Sequence, residues 1–353
     1  MLRIIDFEHR EEWDKIVSSF SDHDIYYLSG YLAPFKVHGD GMPILIYYQG
    51  ECLRAMCAFM LRDIADEKWA QGSIEQGMFY DVVTPYGYGG WLLEGDTSLN
   101  EIDKFWKELN SFMQEQHIVD AFIRWSPWLN NQELFRGHSN IIDLGKTVFI
   151  DSSTEDIIFQ NIKSKDRATI RKAIKNGVIV KHSDDFALFD KFRSIYNATM
   201  DKDNADSYYY FNPDFYESMA QNLQGAWQMF YAVLDGEIIA MSIMLMCNGK
   251  MHYHLSGSVA QYRNLNATNL ILYEAAKYGA MHGCKILHLG GGVGSGEDPL
   301  YKFKKTFNKN GDLTFSISKD CFNTQKYSYL AELRKKNDST FDASSSFFPI
   351  YRS

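Results

Sequence analysis

The sequence predicts an α+β protein made of two similarly built α/β halves in tandem, each a mixed sheet flanked by helices. A hairpin pattern around a glycine-containing turn occurs in both halves, at residues 44–61 and 231–246. In both halves a helical pattern then leads into a strand pattern. The length of 353 residues fits two domains, because one domain usually holds about 100–200 residues.

In the first half, apolar spacing predicts two helices. The first helix is marked by four residues on one face: Trp13, Ile16, Val17 and Phe20. The second helix is predicted at residues 101–116 and leads into a strand at residues 121–125. The turn Gln49-Gly50-Glu51 separates strands at residues 44–48 and 52–61.

The second half repeats this order. Strands at residues 231–234 and 238–246 flank the turn Asp235-Gly236-Glu237, and a helix at 271–282 leads into a strand at 285–289. Gly283 suits a left-handed helix cap. We predict domains at 1–145 and 146–320, and then a C-terminal helix and loose tail at 321–353, because Asn, Asp and Ser become frequent beyond Lys336.

Composition excludes several classes of protein. With 45% apolar and 15% aromatic residues the chain can form packed cores, which argues against a disordered protein. Five cysteines without a CxxC pair argue against a disulfide framework or a metal site. No apolar run has the length of a signal peptide or a membrane span, so we expect a cytoplasmic protein.

A basic segment at residues 161–177 stands out in a chain of net charge −9, because it holds six cations and the single acid Asp166. Four of its cations recur every four residues and form one stripe on a helix: Lys163, Arg167, Arg171 and Lys175. Ile162, Ile170 and Ile174 are expected to face inward. The stripe predicts a phosphate-binding surface, and the alternative is a solvated helix face.

A glycine-rich segment at residues 290–296 follows a predicted strand and precedes Asp298-Pro299, a typical helix start. Backbone N–H groups that converge near a helix start favour an anion, and the alternative is a flexible turn. Lys304 and Lys305 bring positive charge to this region.

Residues 80–91 are dense in aromatic residues and glycine, which suits either a ligand wall or a loop packed on the core. Asp81 and Glu94 flank this segment and are candidate bases, although such carboxylates are usually solvated. His252 and His254 are expected to form local hydrogen bonds, because no third residue has the spacing of a metal ligand.

Five motifs occur in order: TPYGYGGW at 84–91, KTVFID at 146–151, IRKAIKNGVIV at 170–180, YHLSGS at 253–258 and LGGGVGSGEDPLYKFKKTF at 289–307. Together they resemble the Fem-type aminoacyltransferases that build peptidoglycan cross-bridges, and their relatives among the GNAT-fold acyltransferases. The resemblance covers residues 26–315. It implies two GNAT-like domains, the first with an acceptor groove and the second on the donor side, and an enzyme that transfers an acyl group to an amine.

The resemblance also implies roles for individual residues. Lys304, paired with Phe303, is expected to stabilise negative charge at the acyl carbonyl, and Glu94 is placed near the acceptor amine. The expected substrate-binding residues are Lys36, Arg167 and Arg171 toward phosphate, and Tyr86 and Tyr253 along the groove. The expected donor-binding residues are Arg263, Asn266, Thr268, Gly291 and Gly292.

Two departures from the family leave the donor open between aminoacyl-tRNA and acyl-coenzyme A. The chain lacks the helical-hairpin insertion that some members use for tRNA, and Asn266 and Thr268 stand where the GNAT pyrophosphate loop has glycines. We expect no permanently bound cofactor or metal.

The leading prediction is acyl or aminoacyl transfer to an amine of a phosphate-bearing cell-envelope precursor or glycan, with contact to a lipid-linked precursor at the membrane surface left open. The alternatives are a small-molecule N-acetyltransferase that uses acetyl-coenzyme A and a non-catalytic phosphoglycan-binding protein.

Overall fold

A computed structural model describes the whole chain, Met1–Ser353, which divides into two compact units. The first unit contains Met1–Leu144 and Phe315–Ser353, and the second contains Gly145–Thr314. The sequence analysis instead placed residues 315–320 in the second domain and residues 321–353 outside both. The difference has a physical reason, since the strand Leu313–Cys321 pairs with the strand Ile118–Arg124 of the first unit.

The first unit has four helices and seven strands in its described elements. The strands are β1 Leu2–Asp6, β2 Met42–Gln49, β3 Leu53–Asp63, β4 Tyr80–Val83, β5 Leu92–Gly95, β6 Ile118–Arg124 and, late in the chain, β13 Leu313–Cys321. The helices are α1 Arg10–Ser18, α2 Ser29–His38, α3 Leu99–Glu115 and α10 Thr324–Asn337.

The sheet of the first unit has the order β1-β2-β3-β4-β6-β13, and β5 also pairs with β3. Only β4 and β6 run parallel, and the other pairs are antiparallel. Helix α3 packs its apolar stripe against this sheet, with Phe105, Leu109 and Met113 fully buried beside Phe59 of β3. This burial follows from the helical spacing of the apolar residues.

The end of the chain is held tightly by the first unit. Tyr351 is fully buried, and its hydroxyl donates to the Asp120 carboxylate at 2.6 Å. Arg352 forms an ion pair with Asp81, a buried carboxylate that Arg62 also contacts at 2.6 Å. The expectation of a loose tail therefore does not describe these residues, because a phenol and a guanidinium supply partners for two buried carboxylates.

The second unit contains the remaining elements. Its strands are β7 Ile141–Asp151, which starts in the first unit, β8 Ile179–Ser183, β9 Trp227–Leu234, β10 Glu237–Cys247, β11 Lys250–Ser258 and β12 Ile286–Gly290. Its helices are α4 Glu155–Asn161, α5 Ser164–Lys175, α6 Leu188–Asp203, α7 Pro213–Asn222, α8 Ala267–Met281 and α9 Pro299–Lys304.

The sheet of the second unit has the order β7-β12-β11-β10-β9-β8. Only β11 and β12 run parallel, so each unit contains one parallel pair in a largely antiparallel sheet. Helix α8 is the most deeply buried helix of its unit, with Ile271, Leu272 and Ala275 fully buried in the core. The core includes Met244 of β10 and Leu287 of β12.

The predicted hairpins are present as β2–β3 and β9–β10, and the predicted helix-to-strand steps as α3–β6 and α8–β12. Gly283 adopts the left-handed conformation, φ +79°, directly after the cap of α8. None of the helices combines the length and the apolar composition that crossing a bilayer requires.

Candidate functional site

Lys304 occupies a buried position at the end of α9 in the second unit. Only 7% of its surface is exposed. Its Nζ donates a hydrogen bond of 2.7 Å to the Gly291 carbonyl oxygen and lies 5.8 Å from the centre of the Tyr253 ring. Helix α9 begins at Pro299 after the N-cap residue Asp298, as its Asp-Pro start predicts. Lys304 therefore lies six residues after the cap.

Burial lowers the pKa of Lys304 to about 8, and the nearby Asp298 carboxylate opposes this shift only partly. Desolvation disfavours the ammonium relative to the neutral amine, which explains the direction. At neutral pH the residue is still mostly protonated. The second unit therefore holds a concentrated positive charge in an apolar setting, where its interaction with a developing anion is strong.

Tyr253 lies where two parallel strands stop pairing. The ladder between β11 and β12 runs from Lys250 and Ile286 to His252 and His288, and ends there. Tyr253 is the next residue of β11, and Gly291 follows the end of β12. Burial raises the pKa of the Tyr253 hydroxyl, so that it remains a neutral phenol. The Tyr253 ring and the Gly291 carbonyl therefore lie next to the Lys304 ammonium where the strand pairing ends.

His288 belongs to the same region and was missed by the sequence analysis. It is 2% exposed, and its Nε2 lies 3.0 Å from the Thr147 hydroxyl. Burial lowers the pKa of His288, with smaller contributions from His252 and Lys304, so its ring is neutral at physiological pH. The sequence feature that could have identified His288 is its position in the strand directly before the glycine segment.

The glycine segment is folded around a carboxylate of the chain itself. Asp298 accepts hydrogen bonds from the backbone N–H groups of Val293 at 3.1 Å and Tyr301 at 2.8 Å. A Cβ on Gly292 would lie 2.1 Å from Asp298 Oδ1. The predicted anion cradle is therefore occupied by Asp298. The geometry gives Gly292 and Gly291 a positioning role, the former by admitting Asp298 and the latter by binding Lys304.

Phe303 precedes Lys304 and packs against the core of the second unit. Its ring lies 5.6 Å from that of Phe307, and it is half-buried. The contacts of Phe303 are those of a packing residue that orients α9.

The three other donor candidates lie together around the start of α8. Arg263 is exposed in a short helical segment, Ala260–Leu265, and Thr268 lies in the first turn of α8. Asn266 takes the left-handed conformation, φ +55°, and its side chain bonds the Asn264 carbonyl instead of capping the helix. The first N–H groups of α8 thus lack a side-chain cap.

Residues 164–175 of the basic segment form α5, so Arg167, Arg171 and Lys175 lie on the helix as predicted, whereas Lys163 precedes it as the N-cap residue. Ile162, before the helix, and Ile170, within it, are buried as expected. Ile174 does not face inward as expected: it lies in the last turn of α5 and is 53% exposed. Arg167 is half-buried, and its Nη1 lies 3.5 Å from the carbonyls of Phe159 and Gln160. The guanidiniums of Arg167 and Arg171 lie 5.6 and 5.1 Å from the centre of the Phe159 ring.

Lys36 and Tyr86 lie close to Phe35 in the first unit. Lys36 is exposed on the last turn of α2, and its Nζ lies 5.0 Å from the centre of the Phe7 ring. The Tyr86 ring is 6.1 Å from Phe35, and its carbonyl accepts a hydrogen bond of 2.6 Å from the Tyr31 hydroxyl. Phe35 itself is fully buried, so the Tyr86 ring packs beside an anchored ring, whereas the Lys36 ammonium lies at the Phe7 ring.

Glu94 is held in a structural ion pair, which contradicts its assignment as a base. It lies on β5 opposite Arg54 of β3, whose guanidinium contacts its carboxylate. The Ser21 backbone N–H donates to its other oxygen at 3.2 Å. The hydrogen bond from Arg54 lowers the pKa of Glu94 despite partial burial. A carboxylate of lowered pKa with both oxygens bonded is a poor proton acceptor.

The comparisons with known proteins concern the family and the fold. Residues 160–305 match the family model described as an acetyltransferase (GNAT) domain. No curated protein matches the sequence. The crystal structure of FemX is similar at a TM-score of 0.67 and 13% identity, over 93% of this chain and 99% of that one.

Two further solved structures share the fold. The C-terminal domain of a putative lysylphosphatidylglycerol synthetase from Agrobacterium fabrum has a TM-score of 0.51 and 13% identity, over 89% of this chain and 91% of that one. L-PGS from Bacillus licheniformis has a TM-score of 0.54 and 12% identity, over 87% and 90%. The predicted fold class and the resemblance to Fem-type and GNAT-fold acyltransferases are thereby confirmed at the level of the fold.

Proposed function

We propose that the chain is an N-acyltransferase that moves an acyl or aminoacyl group to an amine of a phosphate-bearing cell-envelope precursor. The observation that carries this proposal is the buried Lys304 ammonium, placed beside Tyr253 where β11 and β12 stop pairing. The GNAT-domain match over residues 160–305 and the fold of FemX support the same class of reaction.

The reaction needs no covalent enzyme intermediate. The acceptor ammonium loses one proton to solvent and becomes a neutral amine, and its nitrogen then attacks the carbonyl carbon of a thioester or ester. The carbonyl oxygen becomes an oxyanion. The tetrahedral intermediate collapses to an amide as the bond to sulfur or to the ribose oxygen breaks, and the leaving group takes up the second proton of the nitrogen.

Lys304 is suited to stabilise that oxyanion. An ammonium has three N–H donors, and the Gly291 carbonyl accepts one of them. The hydrogen bond fixes the position of the charge before substrate arrives. Because the site is buried, the protein does not have to reorganise water around the lysine during the reaction.

Phosphate recognition is proposed for exposed cations in each unit. Lys36 is exposed on α2 of the first unit, and its ammonium lies at the Phe7 ring. Arg171 is exposed on α5 of the second unit, and the half-buried Arg167 shares the Phe159 ring with it. We expect Arg171→Ala to weaken binding of a diphosphate-containing precursor, and added salt to reduce the difference from wild type. Equal affinities at low salt would remove Arg171 from the proposed site.

A small-molecule N-acetyltransferase that uses acetyl-coenzyme A is the second candidate. The start of α8 favours it, since N–H groups without a side-chain cap next to the exposed Arg263 suit an anionic donor. The matched family model is an acetyltransferase domain and covers this segment. Strong thermal stabilisation by coenzyme A alone would support this candidate.

Single-turnover assays test the proposal directly. The chain is mixed with labelled aminoacyl-tRNA or labelled acyl-coenzyme A and an amine-bearing precursor, and amide product is quantified. Product from one donor identifies that donor, and Lys304→Met should lower its rate by at least about a hundredfold. If neither donor gives product and the precursor still binds, the transferase proposal is contradicted and a non-catalytic binding protein is supported.

A further inference from the structure

Helix α5 presents a row of exposed cations on its outer face, and we propose that this face docks the protein on the surface of an anionic lipid membrane. The outer face is defined by Lys165, Arg171, Lys172 and Lys175, all of which are exposed. On the opposite side Ile170 and Ala173 are buried in the core together with residues of α8. The helix is therefore fixed to its unit along one side and free along the other.

The cations of the outer face have no ion-pair partner within the protein. Some other basic residues do pair with carboxylates, as Arg136 does with Glu133 and Lys277 with Glu274. None of the four cations on the outer face forms such a pair. Because residues 161–177 carry a net charge of +5 in a chain of −9, the other residues carry −14. An anionic surface would thus attract α5 and repel most of the rest.

Two exposed aliphatic side chains accompany these charges. Ile174, in the last turn of α5, is 53% exposed, and Ile179, at the start of β8, is 60% exposed. The turn between them is closed by hydrogen bonds from Gly177 N–H to the Ile174 carbonyl at 3.0 Å and from Val178 N–H to the Ala173 carbonyl at 3.2 Å. Apolar side chains next to lysines favour the interface of a bilayer, where both groups find suitable surroundings.

The same features argue against a nucleic acid as the partner. Binding of nucleic acid gains from exposed rings that stack on bases. The aromatic residue nearest to the outer face is Phe159, which is half-buried and lies under the guanidiniums of Arg167 and Arg171. The exposed apolar residues here are aliphatic. With 12 residues and one side buried, α5 can lie on a membrane surface but cannot insert into it.

Vesicle co-sedimentation tests this proposal without an acyl donor or acceptor, so the outcome does not depend on the proposed transferase reaction. The probes are vesicles of phosphatidylglycerol mixed with phosphatidylcholine, and vesicles of phosphatidylcholine alone. We expect binding to the anionic vesicles only, and weaker binding as salt is added. The triple variant Lys165→Gln/Lys172→Gln/Lys175→Gln should lose about fivefold in affinity per lysine.

Two further variants separate the contribution of apolar contact from that of charge, and the charge of α5 from the net charge of the protein. Ile174→Ser should weaken binding while leaving its salt dependence unchanged, because it removes apolar contact and no charge. A control with the same loss of charge is Lys104→Gln/Lys335→Gln/Lys336→Gln, at exposed lysines of the first unit, and it should bind the anionic vesicles like the wild type. Thermal melting verifies that each variant is folded.

Three results would overturn the proposal. The first is absence of binding to anionic vesicles at low salt. The second is an equal loss of binding in the α5 variant and the control, which would show that only net charge matters. The third is binding of duplex RNA, lost in the α5 variant, by a protein that does not bind vesicles, which would make the outer face a nucleic-acid surface.

Discussion

The Lys304 ammonium donates a 2.7 Å hydrogen bond to the Gly291 carbonyl oxygen, 13 residues earlier in the chain. This contact connects the end of α9 to the start of the glycine segment. It keeps a charge buried that would otherwise be more stable in water. The energetic cost of this arrangement and its benefit to the proposed reaction can be measured separately.

Replacing Lys304 by methionine should stabilise the protein and lower the transfer rate by at least about a hundredfold. Removal of the buried charge relieves a desolvation cost on the order of 3 kcal/mol at neutral pH, since one pKa unit corresponds to about 1.4 kcal/mol. Urea unfolding and single-turnover rates measure the two effects. Lys302→Met is the control, because Lys302 is an exposed residue of the same helix. A lower free energy of unfolding for Lys304→Met than for the wild type would contradict the conclusion that the buried ammonium carries a desolvation cost.

The stability difference between wild type and Lys304→Met should depend on pH. The pKa of Lys304 is about 8 in the folded protein and 10.5 for an ordinary lysine. Between these values the unfolded chain binds more protons, so the wild type gains stability as the pH rises. The advantage of the variant is therefore complete below about pH 8 and declines toward pH 10.5. Urea titrations from neutral to alkaline pH would show a constant difference if Lys304 were solvated.

Gly292→Ala should disturb the cap of α9, because a Cβ at this position would lie 2.1 Å from Asp298 Oδ1. Loss of such a cap costs about 1 kcal/mol and would also shift Lys304 at the other end of the helix. We expect lower stability and a lower transfer rate. Gly296→Ala is the control, since its Cβ would meet only the Val293 carbonyl oxygen at 3.8 Å. Equal behaviour of the two variants would show that Asp298 does not require the glycine.

Glu94→Gln should lower stability and leave the chemical step intact. The substitution removes the negative partner of Arg54, and the pair is partly exposed, so a loss of about 1 kcal/mol is expected. Chemical denaturation and single-turnover rates separate the effects. A large fall in rate without a change in stability would restore Glu94 as a catalytic group.

Tyr351→Phe should destabilise the first unit by about 1–3 kcal/mol, since it leaves the buried Asp120 carboxylate without its phenol donor. The matched control is Tyr329→Phe on α10, where the residue is 46% exposed. Thermal melting of both variants measures the difference. Identical melting temperatures would mean that Asp120 finds another donor.

The local features of the fold were predictable from the sequence. The turns at Gly50 and Gly236 mark the two hairpins, and the apolar spacing in α3 locates its buried face. The Asp-Pro pair locates α9 and with it Lys304. These features depend on residues close together in the chain, where periodicity and capping preferences act directly.

The contacts between distant residues were not predictable. Arg54 lies 40 residues before Glu94 and neutralises it through strand pairing, which no local pattern indicates. The glycine segment appeared open to an anion, yet Asp298 turns back into it. Burial of Tyr351 depends on Asp120, 231 residues earlier. Each error concerned where a charged or polar group finds its partner.

The discontinuous first unit has a consequence for synthesis on the ribosome. Residues 145–314 of the second unit are continuous in the chain, whereas the first unit combines residues 1–144 with residues 315–353. Strand β6 can pair with β13 only after residues 313–321 have been synthesised. Asp81 and Asp120 can contact Arg352 and Tyr351 only after the last residues have been added. The segment made first is therefore completed last. Until then, β6 has only β4 as a neighbour and the two carboxylates lack these donors, and incompletely paired segments of this kind favour aggregation.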